Sequence, residues 1–369
     1  MIDANAGLFA KLAAAGGELI SASLRDQKRA IRTDAVEKGW LQRLILRSSN
    51  HLLLDSTSRF ALGEYEGDLY LIAVGVAVIE PAAELQLVGL NAGMFTAIAY
   101  ELDVPILRTT DQAERLLEYV FYPVEDNCEL IDVDVVAPFF QEVSLYLVEP
   151  TSAIALDREF GLRAAIAAIL GAPAARPLAW PDTALDRFSF IVRDPSERAP
   201  FHLLLRALTE TRDDAAFLAL YRCVEQLFSV PAIGDLAAEL GLSRPALGVA
   251  AAIEKHLGWR RREEDAIAQL FAELDAGLID RMLPAVGAVA QNESRSRPVS
   301  RRVYELRNQC VHFRPAHAIG DALTVDNWPT LTDLMLEAVQ CLYTRYTAAF
   351  DEPEEIEAER NPPSDMGRV

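Results

Sequence analysis

Arg301-Arg302-Val303-Tyr304-Glu305-Leu306-Arg307-Asn308-Gln309-Cys310-Val311-His312-Phe313-Arg314 is the stretch on which the reading of this chain turns. Val303, Leu306, Cys310 and Phe313 recur at three- and four-residue spacing, so the segment is predicted to be a helix with that stripe packed inward. Pro298 sits where a first helical turn tolerates it, and Pro315 stops the helix. Tyr304, Asn308 and His312 share a second stripe. Arg307 lies five residues before His312, about 140° around an ideal helix. The two side chains converge only through the length of the arginine or a loosened last turn.

The residue types suit RNA cleavage without a metal. Attack of a ribose 2′-hydroxyl on the neighbouring phosphate needs a base for that hydroxyl and an acid for the leaving 5′-oxygen. Histidine titrates near neutrality and serves as either. Arginine meets the growing phosphoryl charge with a planar pair of donors. Asn308, one turn before His312, is placed to orient the imidazole or the phosphate. No carboxylate cluster stands beside the motif, so neither a metal nor another cofactor is expected.

Charge is distributed unevenly. The chain of 369 residues carries a formal net charge of −20, which argues against non-specific nucleic-acid binding by the whole surface. Residues 295–314 break the pattern, with Arg295, Arg297, Arg301, Arg302, Arg307 and Arg314 against one acid, Glu305. A local patch of this kind can hold a phosphate backbone while the remainder repels it, and these arginines are the expected RNA contacts. No apolar run reaches the ~18 residues of a membrane helix. The longest, Leu69 to Ile79, reads as a buried strand. The first twenty residues have no basic leader pattern. Cys128, Cys223, Cys310 and Cys341 are far apart among apolar neighbours, and are expected to be buried, reduced thiols of a cytoplasmic protein.

The fold class expected is an α+β N-terminal domain over 1–195, an all-α helical-bundle domain over 200–350, and an acidic disordered tail over 351–369. In the first part, residues 4–22, 111–120 and 158–170 are predicted helices, and 51–55, 69–79, 142–148 and 188–192 predicted strands. The proline-flanked polar segment 193–200 marks the boundary. Beyond it the strand signal disappears. Phe217, Leu220, Tyr221, Val224, Leu227 and Phe228 form one face of a helix over 213–229. Further helices are expected over 233–256, broken near Gly241 and Pro245, and over 262–271, 278–289, 298–313 and 331–350.

The motif Arg307-Asn308-x-x-x-His312, at the end of a helix in an all-helical region, resembles that of the HEPN (higher eukaryotes and prokaryotes nucleotide-binding) superfamily, whose hallmark is R-x(4–6)-H. Leu-Arg-Asn-Gln-Cys-Val-His-Phe-Arg-Pro is similar to the motif of prokaryotic members tied to phage defence, and residues 217–228 resemble their first helix. The resemblance covers roughly 200–350 and leaves the N-terminal half unassigned. It implies a helical domain that dimerises with two motif copies facing each other. It also implies a metal-independent endoribonuclease acting as a toxin or antiviral defence effector, with Arg307 and His312 catalytic and Asn308 supporting them. One histidine per chain cannot readily be base and acid at once, and a homodimer divides the roles. The N-terminal domain is then expected to sense or select, through a ligand or regulatory partner. Some members of the superfamily are inactive nucleotide-binding or scaffold proteins, and that alternative stays open.

Arg222 and Glu225, three apart on the early helix, are expected with Tyr304 to position the catalytic pair, or else to form an ordinary helical ion pair. Residues 236–247 resemble a helix-turn-helix, so a DNA-binding regulator is a further alternative. Its second helix offers few base-reading side chains, and a packed helical hairpin fits it better. Trp259 with Arg260–Arg262 either extends an RNA track or opens a helix whose acids meet the dipole. Asp132 and Asp134 alternate on a possible strand, pointing the same way as a solvated face or a divalent-ion pair. His317 has no assigned role.

Overall fold

A computed structural model describes residues 2–47, 52–53, 58–122, 128–157, 161–242, 244–258, 261–289, 295–311, 325 and 327–350. The chain divides into two compact units. One comprises Met1–Pro195 with Phe201–Ala216, the other Ser196–Pro200 with Phe217–Val369.

The first unit holds every described strand: β1 (Lys28–Ile31), β2 (Ile45–Leu46), β3 (Leu52–Leu53), β4 (Arg59–Tyr65), β5 (Asp68–Val74), β6 (Leu85–Val88), β7 (Cys128–Ile131) and β8 (Val143–Val148). Its helices are α1 (Ile2–Ala15), α2 (Ala22–Arg25), α3 (Glu37–Arg43), α4 (Ala92–Glu101), α5 (Gln112–Tyr119), α6 (Val133–Val136), α7 (Leu162–Leu170), α8 (Asp182–Arg193) and α9 (Phe201–Thr209). The main sheet is antiparallel, in the order β2-β4-β5-β8-β6, with β3 also on β4, while β1 and β7 form a separate parallel pair. The β4–β5 hairpin turns through Glu66 (φ 54°) and Gly67 (φ 93°). Two consecutive left-handed residues make the tight turn whose twist matches the strands. On one face of this hairpin Ala61, Tyr65, Tyr70, Ile72 and Val74 join the core with Leu8, Phe9 and Leu12 of α1 and Phe95 and Ile98 of α4. On the other face Leu62 lies against Gly161, at the start of α7.

The described residues of the second unit are helical wherever they carry regular structure. The unit boundary falls inside α10 (Asp213–Gln226), and α11 (Val230–Glu239), α12 (Ala246–Leu257), α13 (Glu263–Ala272), α14 (Ala276–Ala285), α15 (Ser296–Val311) and α16 (Trp328–Arg345) follow. Helix α15 lies against α13 and α14, and α14 against α16. Phe217, Leu220, Tyr221, Val224, Leu227 and Phe228 are all buried, as their spacing requires. Val303 and Leu306 are buried too, while Cys310 is half-buried and Phe313 lies outside the described residues. The run Asp213–Glu239 has the length and hydropathy to cross a membrane, but 67% of its apolar window is buried inside the protein, as in a core helix.

Several expectations need correction. Residues 188–192 are not a strand but the second half of α8. Ala184, Phe188, Ile191 and Val192 are its buried side and Phe190 is 60% exposed, a helical rather than an alternating pattern. The opening helix stops at Ala15 because Gly17 takes φ +59°, and a 3-10 turn and α2 follow. Asp132 and Asp134 do not share a strand face. Asp132 precedes α6 and pairs with Arg32 at 3.0 Å, and Asp134 lies within that helix. Cys223 is buried, but Cys310 is half-buried and Cys341 exposed, and none of these three is in a disulfide among the described residues. Residues 351–369 lie outside the described residues.

Tyr343 ties α16 to α10. Its buried hydroxyl donates toward Gln226 Oε1 at 2.6 Å and the Cys223 carbonyl at 3.0 Å. Burial pushes its pKa up. Tyr343→Phe takes the donor from the buried Cys223 carbonyl, while the exposed Gln226 can turn to water, and is expected to cost about 1 kcal/mol, read as a lower melting temperature. A raised phenol pKa contributes stability below the unfolded value near ~10, lost as pH rises. The Phe variant should therefore close part of its gap to the wild type in alkaline melts.

Candidate functional site

Arg307 projects from α15 toward α10 and the start of α13. Its Nη2 donates to Glu225 Oε1 at 3.2 Å, and its Nη1 lies 3.5 Å from Glu263 Oε2. Nη1 also donates to Asn308 Oδ1 at 3.0 Å. The guanidinium carbon stands 5.8 Å from the centroid of the Tyr221 ring. The side chain is 17% exposed. Two carboxylates, an amide and an aromatic face thus fix the plane of one guanidinium. Nε–H and one Nη2 hydrogen have no partner among the described residues. Such edges match two oxygens of a phosphate.

The sequence explains this placement. Tyr221 and Glu225 are four apart on α10, hence on one side of it. Glu263 opens α13, where acids favour the positive end of the helix. Tyr221 is buried, and its hydroxyl has no hydrogen-bond partner among the described residues. Its pKa is raised, first by burial and then by the neighbouring Glu225, with Arg307 opposing. Tyr304, half-buried on α15, is close enough to act on the same phenol.

Of the residues anticipated from sequence, Arg307, Asn308 and Glu225 come together. Arg222 is exposed, and Glu225 bonds across the unit to Arg307 instead of along its own helix. His312, Arg314, Trp259, Arg260 and His317 lie outside the described residues. Tyr221 and Glu263 are partners of the motif that the sequence alone does not single out. The four-residue step to Glu225 was the available signal for the first, and the acid run Glu263-Glu264-Asp265 for the second.

The basic island is largely offset by acids once folded. Arg295 pairs with Asp280 at 2.6 Å, Arg301 with Glu305 at 3.1 Å, and Arg302 with Glu305 at 3.3 Å and the Val286 carbonyl at 3.0 Å. Arg297 is exposed. Arg297, Arg301 and Arg302 line a cleft of about 670 Å³ that also holds Glu264, Asp265 and Glu305. Partly exposed pairs of this kind are each worth only about 0.2–1 kcal/mol, so a polyphosphate can displace them.

Helices α11 and α12 pack on each other across Gly241 (φ +64°), with Arg244, Lys255 and His256 exposed. No group of three or more His, Cys, Asp or Glu suited to a metal occurs among the described residues. No protein-family model matches the chain, and neither a curated protein nor a solved structure matches it at a significant level.

Proposed function

We propose that the helical unit is a HEPN-like domain that cleaves RNA without a metal, as a cytoplasmic homodimer serving antiviral defence or toxin-type arrest. The observation that carries this reading is the fixed guanidinium of Arg307, held by Glu225, Glu263 and Asn308 with donor edges left for a phosphate. In the reaction the ribose 2′-oxygen bonds to the adjacent phosphorus as the P–O5′ bond breaks. One His312 takes the 2′-hydroxyl proton, and His312 of a second copy returns a proton to the leaving 5′-oxygen. Arg307 balances the charge that builds on the phosphoryl oxygens. The products are a 2′,3′-cyclic phosphate and a 5′-hydroxyl.

A second reading has its own support. Arg307 is mostly buried and bonded to two carboxylates, and the island beside it is paired with acids. Those are also the features of a structural strut in a non-catalytic nucleotide- or nucleic-acid-binding scaffold. Incubating total RNA with the protein in EDTA separates the two. Fragments with cyclic-phosphate and 5′-hydroxyl ends support cleavage. Intact RNA that is bound and shifted supports the scaffold.

A further inference from the structure

The first unit has a pocket of about 600 Å³ between α1, the α2–β1 segment and β7. Four cations line it, Arg25, Lys28, Arg29 and Lys38, against one acid, Asp26. Three other clefts among the described residues are balanced. One sets Arg244 and Arg345 against Asp235 and Glu273, another Arg193 against Glu80. The third is the cleft beside α15, with three arginines and three acids. In a chain of net charge −20, this pocket alone among the four keeps an excess of positive charge.

Among the described residues none of the pocket's four cations is hydrogen-bonded to a carboxylate. Arg29 is buried, and all five of its guanidinium hydrogens go to neutral oxygens. Nε meets the Val120 carbonyl at 2.8 Å, Nη1 those of Leu24 and Gln27 at 2.7 and 3.2 Å, and Nη2 Gln27 Oε1 and the Tyr122 carbonyl at 2.8 and 2.9 Å. Arg25 likewise donates to carbonyls, with its Nε 2.9 Å from that of Ile20. The ammonium groups of Lys28 and Lys38 meet no carboxylate among the described residues. The Arg29 guanidinium carbon also stands 5.0 Å from the centroid of the Phe121 ring, and Glu129 acts on it only as a weaker influence than its burial. A buried cation whose hydrogens all meet neutral oxygens is costly, and an anion arriving in the pocket would offset that cost.

Composition sharpens the point. Of 35 basic residues in the chain only four are lysines, Lys11, Lys28, Lys38 and Lys255, and two of them line this pocket. Lysine is a compact, mobile point charge suited to a phosphate. The opposite wall is apolar, with Ala6, Phe9 and Ala10 from one side of α1 and Phe121 beyond. Asp26 and Thr33 add an acceptor and a hydroxyl at the rim. The volume falls within the ~300–1,000 Å³ of small-molecule sites.

We propose that this pocket binds a nucleoside phosphate, with its phosphate between Lys28 and Lys38 in the field of Arg29. Its base lies along Ala6, Phe9 and Phe121, and its ribose or base edge at Asp26 and Thr33. Two free ammonium groups match the double charge of a phosphate ester better than the single charge of a carboxylate. The site lies wholly in the first unit and stands apart from the RNA-cleavage reading, so either can fail without the other.

The test is calorimetric titration of the full chain with each of the four ribonucleoside 5′-monophosphates, with inorganic phosphate and the four nucleosides as part-ligands. At least one nucleotide is expected to bind once per chain, at least tenfold tighter than phosphate or its own nucleoside. That nucleotide should protect Lys28 and Lys38, and not the exposed Lys255, from acetylation by an N-hydroxysuccinimide ester. Lys28→Ala/Lys38→Ala, two rim changes that leave the core untouched, should weaken binding at least tenfold at an unchanged melting temperature. Lys11→Ala should bind as the wild type does. The proposal is overturned if no nucleotide binds saturably, if phosphate alone binds as tightly, or if the double variant keeps wild-type affinity.

Discussion

Arg307→Ala is expected to lower RNA cleavage in EDTA by about 10²–10³-fold, the usual loss when one donor to a developing oxyanion is removed. His312→Ala should lose about 10²–10⁴-fold, the range of general acid–base catalysis. The two losses differ in what surrounds them. Arg307 is a load on the fold as well, because its removal leaves Glu225 and Glu263 without their shared cation. Both acids are about a third exposed, so water answers much of that charge, and the stability cost is expected to stay near ~1 kcal/mol. Circular dichroism and a melting curve on each variant separate lost chemistry from lost fold. Arg307→Lys keeps the charge but not the planar fork, so it should not restore activity. Glu225→Gln keeps an oxygen for Nη2 at the same place and should fall only about tenfold, a loss of charge with the hydrogen bond retained. A folded Arg307→Ala protein that cleaves at the wild-type rate would sink the catalytic assignment and leave the arginine a strut between helices.

What could be read from the sequence, and what could not, divides by the range of the interaction. Helices with one apolar face announce themselves locally, and α10, α13, α15 and α16 fall where Phe217, Ile267, Val303 and Leu331 set the period. Strands β5 and β8 are apolar runs bounded by turn residues. Helix α4 escaped because Ala92 to Ala99 are buried on every side, so no stripe distinguishes it. In helix α8 the run Phe188-Ser-Phe-Ile-Val192, taken alone, is short and apolar without a visible period and so resembles a strand; Ala184 one turn earlier supplies the helical period. The site shows the same division. Arg307 and Asn308 are neighbours in sequence. Glu263 and Asp280, which take up the charge of Arg307 and Arg295, arrive from other helices. A cluster of arginines in sequence therefore overstated the charge that the folded surface presents.

Gly93→Ala is expected to cost the first unit about 3 kcal/mol or more, at the upper end for overpacking. A Cβ at this position would sit 1.9 Å from the Glu37 carbonyl oxygen and 2.5 Å from its carbon. Both are backbone atoms, so no side-chain rotation relieves the clash, and α3 must move away from α4 by more than an ångström. That contact is built from both sides. Asn91 caps α4 by accepting from the Met94 N–H at 2.8 Å, and Glu37 accepts from the Ala92 N–H at 3.3 Å and the Asp34 N–H at 2.8 Å. Displacing α3 also shifts Trp40, whose ring stacks on Tyr65 at 3.9 Å and meets Tyr70 edge-on at 5.2 Å. The sheet thus loses its aromatic contact along with the helix pair. For a unit of this size, each kcal/mol moves the melting temperature by roughly 2–4 °C, so a fall of about 6–12 °C should appear by scanning calorimetry. Gly89→Ala is the control, since its added methyl meets nothing within 4 Å and its backbone is not left-handed. It should melt with the wild type. Equal melting of Gly93→Ala and Gly89→Ala would show that α3 and α4 are not held together at this glycine.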